Sequence, residues 1–143
     1  MKNIILFSIL FGGLFTIACK KENTNELKAD KLQGTWEATK KIYSYYENDK
    51  EMEKEEVAVT PKKDVFAFAG DSLLLYKNDK RTNDRFTYTL NGDNLNVREG
   101  NITTHLKLKF YHDKQIGVIQ EERDVTSAGV KTVYIDETVF VKK

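Results

Sequence analysis

A single cysteine, a single proline and a single tryptophan are spread over 143 residues. With one thiol no internal disulfide can form, so the fold has to be stabilised by burial and not by cross-links. Charge of one sign is also missing: 23 basic side chains stand against 22 acidic ones, with no basic stripe or segment, which argues against nucleic acid as a partner. Histidine is scarce. His105 and His112 lie at the wrong spacing for a zinc site and have no cysteine beside them, so no metal is expected. The serines beyond the leader, Ser44, Ser72 and Ser127, belong to no nucleophile motif. Carboxylates are plentiful, but nothing selects a pair for acid/base work, and neither enzyme activity nor a cofactor is expected.

Long hydrophobic runs are absent after the first residues. Met1 to Ala18 combines one basic residue, Lys2, with an apolar run from Ile4 to Phe15 and short residues up to Cys19, which reads as a secretory signal. A membrane-spanning helix needs about 20 apolar residues, and this run is shorter and is interrupted by Gly12-Gly13. Thr16-Ile17-Ala18-Cys19 resembles a bacterial lipobox. That resemblance implies cleavage before Cys19 and lipid on its sulfur and new amino group, which would also account for the lone thiol. The expected place is the cell envelope, lipid-anchored in the outer membrane, facing the periplasm or the surface. Loss of Lys2 with the leader leaves 22 basic and 22 acidic side chains.

Residues 19–31 read as a polar tether, with Asn25 to Asp30 able to form one helical turn, and 32–143 as one domain with one core. Gly34 to about Tyr46 favours a strand with Trp36, Ala38 and Ile42 on one face. The charged stretch Glu47 to Glu56 reads as a solvated loop or frayed helical turn, with a lid as the sharper alternative, and Pro61 marks its end. Asp64 to Ala69 and Ser72 to Lys77 are joined at Gly70-Asp71; Asn78 to Asp84 is a polar loop. Phe86, Tyr88 and Leu90 alternate against Arg85, Thr87 and Thr89. Asn91-Gly92 signals a type I′ hairpin, and the return strand turns Leu95 and Val97 inward. Leu106, Leu108 and Phe110 share the inner face of the next strand, Ile116 to Asp124 forms the seventh, and Val130 to Val141, apolar on both faces, is expected to contain a bulge. Eight sequential strands with short connections describe an antiparallel barrel or a sandwich; closure removes both unpaired edges and favours an all-β, up-and-down barrel whose long first and last strands pair.

With Leu32-x-Gly34-x-Trp36 at its start, the Tyr88-x-Leu90-Asn91-Gly92-Asp93-x-Leu95 hairpin and eight strands, the chain resembles the small lipocalin-like lipoproteins of Bacteroidetes. Lys20-Lys21-Glu22 is similar to the charged segments that follow the cysteine in such proteins. The resemblance implies a barrel floor made by Gly34 and Trp36. In many lipocalins an arginine packs over that tryptophan; here only Lys142 and Lys143 end the chain.

Two functional expectations follow. In one, the barrel holds a small hydrophobic or amphipathic ligand, with Trp36, Phe86, Tyr88, Leu106, Leu108, Phe110 and Tyr134 lining the site. In the other, those side chains fill the core, and the protein acts by its surface as an interaction or assembly module of the envelope. An exposed aromatic patch of Tyr43, Tyr45 and Tyr46 over a solid core would favour the second.

Overall fold

The computed structural model describes residues 24–143; the leader, Cys19 and the Lys20-Lys21-Glu22 segment lie outside the described residues. A helix, α1 (Thr24–Leu32), precedes ten strands: β1 (Gly34–Glu47), β2 (Lys50–Ala58), β3 (Asp64–Ala69), β4 (Ser72–Lys77), β5 (Lys80–Arg81), β6 (Phe86–Asn91), β7 (Asn94–Glu99), β8 (Ile102–His112), β9 (Gln115–Val125) and β10 (Lys131–Lys142). Eight of them close an antiparallel up-and-down barrel in the order β1-β3-β4-β6-β7-β8-β9-β10, sealed by pairing of β10 with β1. The barrel and its closing pair are as the strand pattern predicts.

The two additional strands correct the sequence reading. Glu47 to Glu56 is neither loop nor helical turn: Lys50–Ala58 returns along the distal half of β1, while β3 pairs with its proximal residues Gly34 to Glu37. Strands β2 and β3 are thus one long return strand interrupted at 59–63, and across the gap the Val59 amide still donates to the Thr39 carbonyl. The turn that starts this hairpin is Asn48-Asp49, with φ of 46° and 65°, the left-handed pair a type I′ turn needs. The same Asn-Asp pair at 78–79 folds back the two-residue β5 within the expected polar loop. The β6–β7 turn is displaced by one residue from expectation. Asn91 pairs with Asn94, and Gly92-Asp93 forms the turn, with positive φ at Gly92 alone.

Strand length divides the barrel into two parts. Strands β3, β4, β6 and β7 have six residues each, whereas β1, β9 and β10 have 14, 11 and 12. The closed part is therefore short, and β2, β1, β10 and β9 continue beyond it as a four-stranded blade. A bulge decides what the blade presents. Ala38 faces Phe140 but Lys40 faces Val139, so Thr39 is an extra residue in β1. Beyond it Lys41, Tyr43 and Tyr45 continue the inner face begun by Trp36 and Ala38, and Ile42, expected inside, joins the outer face. The expected bulge in β10 is absent: its register with β9 is unbroken from Lys131 to Val141.

The closed part is filled by side chains. Leu32, Trp36, Leu95, Leu108, Ile116 and Phe140 are fully buried, with Phe68, Leu73 and Tyr88 in the same cluster. Phe66 packs on Phe140 with ring centroids 4.5 Å apart, and Phe68 meets Tyr88 edge-on at 4.9 Å. Helix α1 covers one end. Leu32 plugs it, and its carbonyl accepts a 2.7 Å hydrogen bond from Trp36 Nε1. Lys28 and Lys31 reach Asp93 and Asp113 in the β6–β7 and β8–β9 turns. Gln33 Nε2 donates to the Tyr88 hydroxyl, which donates to the Gly70 carbonyl.

The Gly-x-Trp motif has a local reason. Gly34 sits at φ 116°, and a Cβ there would come within 3.0 Å of Lys142 Cε. The bare backbone lets the Lys142 side chain cross it, place its ammonium 5.2 Å from the Trp36 ring centroid and donate to the Lys31 carbonyl. Lys142, from the end of the last strand, thus covers the indole face.

A candidate binding cleft at the open end

At the end opposite α1, the inner face of the blade forms an open cleft of about 560 Å³, lined by Tyr43, Tyr45, Glu53, Glu55, Gln120, Glu122, Tyr134 and Asp136, with Ser44 and Ile135 between them. Strand register makes this face two cross-strand rows. One reads Glu55, Tyr43, Asp136, Gln120, and the next, nearer the tip, reads Glu53, Tyr45, Tyr134, Glu122. Alternation along each strand brings all eight side chains to one side. Because of the bulge at Thr39, that side is the barrel's inner one.

Tyr45 and Tyr134, directly opposed on β1 and β10, stack with centroids 4.7 Å apart and planes 26° apart. Tyr134 is 53% exposed and Tyr43 39%, so the aromatic surface faces solvent and is not part of the core. The Tyr45 hydroxyl donates to Glu47 Oε1 at 2.7 Å. That bond to a carboxylate, aided by burial, pushes the Tyr45 phenol up to about 12. Tyr46 points to the outer face, where its hydroxyl donates to Glu51 and is likewise pushed up.

The outer face of the same strands is chemically different. Glu137, buried against Gly117, accepts a 2.6 Å hydrogen bond from the Tyr111 hydroxyl, and Lys109 lies 4.3 Å from the centroid of that ring. Burial first, and then the Glu137 carboxylate, raise the Tyr111 phenol. Lys40 pairs with Glu56 at 2.8 Å, and Lys107 and Arg123 both engage Glu121. These contacts link neighbouring strands across the outer face.

Among the residues expected to contact a ligand, Trp36, Tyr88 and Leu108 belong to the buried core, and Phe86, Leu106 and Phe110 pack against it. Of the two residues expected at the floor, Trp36 is fully buried and Gly34 is exposed, beside the Lys142 side chain. Of the expected set Tyr134 alone lines the cleft. Tyr43 and Tyr45 of the expected aromatic patch join it there, and Tyr46 does not. Of the remaining lining residues, Glu53 and Glu55 lie in the stretch whose composition reads as loop, whereas Gln120, Glu122 and Asp136 lie in expected strands but were not singled out. The signal that would have exposed the two glutamates of that stretch is Asn48-Asp49-Lys50, repeated as Asn78-Asp79-Lys80. His105 exchanges a hydrogen bond with Asn96, and His112 accepts one from the Lys114 amide in its own turn. No protein-family model, no curated protein and no solved structure matches the chain.

Proposed function

We infer that this chain is a lipid-anchored, lipocalin-like binding protein of the bacterial cell envelope, and that it takes a small amphipathic molecule in the cleft above the filled barrel. The observation that carries this reading is the stack of half-buried Tyr45 on exposed Tyr134, set in a cleft of about 560 Å³, a volume in the range of small-molecule sites. The interior itself is occupied by Trp36, Phe140, Leu95, Leu108 and Ile116, so the ligand belongs at the mouth and not within the wall of Phe86, Leu106 and Phe110. The lipobox-like Thr16-Ile17-Ala18-Cys19 supports the anchor.

A second reading is favoured by the same filled core and by the exposed edge of β2: a surface-acting module that meets an envelope protein partner at the blade. Native mass spectrometry of the chain from Lys20 onward, purified gently from its host, separates the two. A co-purifying small molecule that is lost in Tyr45→Ala/Tyr134→Ala supports the carrier. A clean apo mass, with no uptake of an amphiphilic dye, supports the module. Anchoring is tested separately: Cys19→Ser is expected to move the protein from the membrane to the soluble fraction, and continued membrane association would remove the lipoprotein reading.

A further inference from the structure

We propose that the molecule held in this cleft is an organic cation with an apolar or aromatic body, an inference that rests on the cleft being a ligand site. The first observation is a contrast between the two faces of the blade. On the outer face each carboxylate has a partner: Glu56 has Lys40, Glu121 has Lys107 and Arg123, Glu137 has the Tyr111 hydroxyl, and Glu51 has the Tyr46 hydroxyl. On the cleft face Glu53, Glu55, Glu122 and Asp136 form no ion pair and accept no side-chain hydrogen bond among the described residues. No lysine or arginine lines the cleft. By register the basic residues on that face are Lys41, one row toward the floor beside Val57 and Thr138, and Lys50 at the tip opposite Glu47. Neither forms an ion pair with the four carboxylates.

The second observation is where the rings stand. In both rows tyrosine lies between carboxylates: Tyr43 between Glu55 and Asp136, and the Tyr45–Tyr134 stack between Glu53 and Glu122. The negative face of an aromatic ring attracts a cation, and flanking carboxylates add charge to that attraction. The other ligand classes fit poorly. An anion would meet four like charges with only the Gln120 amide and tyrosine hydroxyls to donate to it. An uncharged apolar body would strip water from carboxylates and return no partner. A cationic head with an apolar body uses both features, and the cleft volume admits one molecule of ordinary ligand size.

The test uses three amphiphiles with the same chain and different heads, each below its aggregation concentration: decyltrimethylammonium, decanol and decanoate, titrated calorimetrically into the chain from Lys20 onward. The cation is expected to bind about tenfold or more tightly than either of the others, and to weaken as salt is raised. Glu53→Gln/Glu122→Gln, at exposed positions, is expected to lower affinity for the cation about tenfold while leaving decanol unchanged. Equal binding of all three, preference for decanoate, or indifference to Glu53→Gln/Glu122→Gln would overturn the cation and leave an amphiphile site. Failure of all three to bind would overturn the cleft as a ligand site altogether.

Discussion

Trp36 is fixed on three sides: its indole N–H reaches the Leu32 carbonyl, its edge lies in the core with Ala38 and Phe68, and the Lys142 ammonium sits over its face. Truncating a fully buried indole leaves a cavity that neighbouring strands cannot close, so Trp36→Ala is expected to lower unfolding stability by about 3 to 5 kcal/mol in urea titrations. Lys142→Met removes the charge and keeps most of the chain's bulk; the expected loss is about 0.5 to 1 kcal/mol. A neutral Lys142→Met would mean that the lysine only covers the ring. Gly34, Trp36 and the inner rows Phe86-Tyr88-Leu90 and Leu95-Val97 were legible because each depends on local alternation or on one motif. Lys142 over Trp36 was not, since that contact joins residues at the two ends of the domain and depends on a bare Gly34 between them.

Among the elements, α1 and the end of β10 hold the floor by ion pairs around a buried plug, exposed at Lys31–Asp113 and with a buried carboxylate at Lys143–Glu37. The Lys31 ammonium holds Asp113 below its ordinary value of 3.8, and Lys143, helped by the Lys62 amide, holds Glu37 below 4.5. Both carboxylates therefore bind protons more weakly folded than unfolded. Their contribution is complete above those ordinary values and is lost as pH falls through the lowered ones. The urea midpoint is expected to be flat above about pH 5 and to drop on further acidification, with a shallower drop in Asp113→Asn. By the same logic Lys28→Ala/Lys31→Ala costs little, while Leu32→Ala costs about 2 to 5 kcal/mol, because exposed pairs contribute roughly 0 to 1 kcal/mol and the plug contributes its burial. Strand β2 escaped the sequence reading because four glutamates in nine residues suit an open loop better than a strand; a well-formed Asn-Asp turn and pairing with β1 outweigh that local preference. The bulge at Thr39 leaves no mark in composition at all. Since Thr39 is the extra residue, its deletion is expected to keep Tyr43 and Tyr45 on the inner face and to preserve the near-UV circular dichroism of the Tyr45–Tyr134 stack. Deletion of both Thr39 and Lys41 leaves the strand one residue short, reverses the alternation beyond Ala38 and is expected to abolish that signal.

At the scale of the whole molecule, the short closed barrel carries the stability and the blade carries the candidate site. Six-residue strands around Trp36, Phe140 and Leu108 make a core with little room for a ligand, which follows from the volume of an eight-stranded barrel filled by its own side chains. Toward the open end β1, β2, β9 and β10 extend past that core, and there the inner face, no longer enclosed, keeps its direction but changes its chemistry to tyrosine and carboxylate. Stability and binding should therefore separate under mutation. Tyr45→Ala/Tyr134→Ala removes one stacked pair, and the expected cost is about 0.5 to 1.5 kcal/mol of stability together with loss of ligand. Leu108→Ala should cost about 2 to 5 kcal/mol and, at temperatures where the protein remains folded, leave affinity within a small factor of the parent. Hydrogen exchange checks the division directly. Amides of β2, exposed along its whole length, should open with far less free energy than those of β9 and β10 beside Ile116 and Phe140, because the latter exchange only when the core itself comes apart. Uniform protection across blade and barrel would show that the two unfold as one unit, and that a site on the blade cannot be altered without cost to the core.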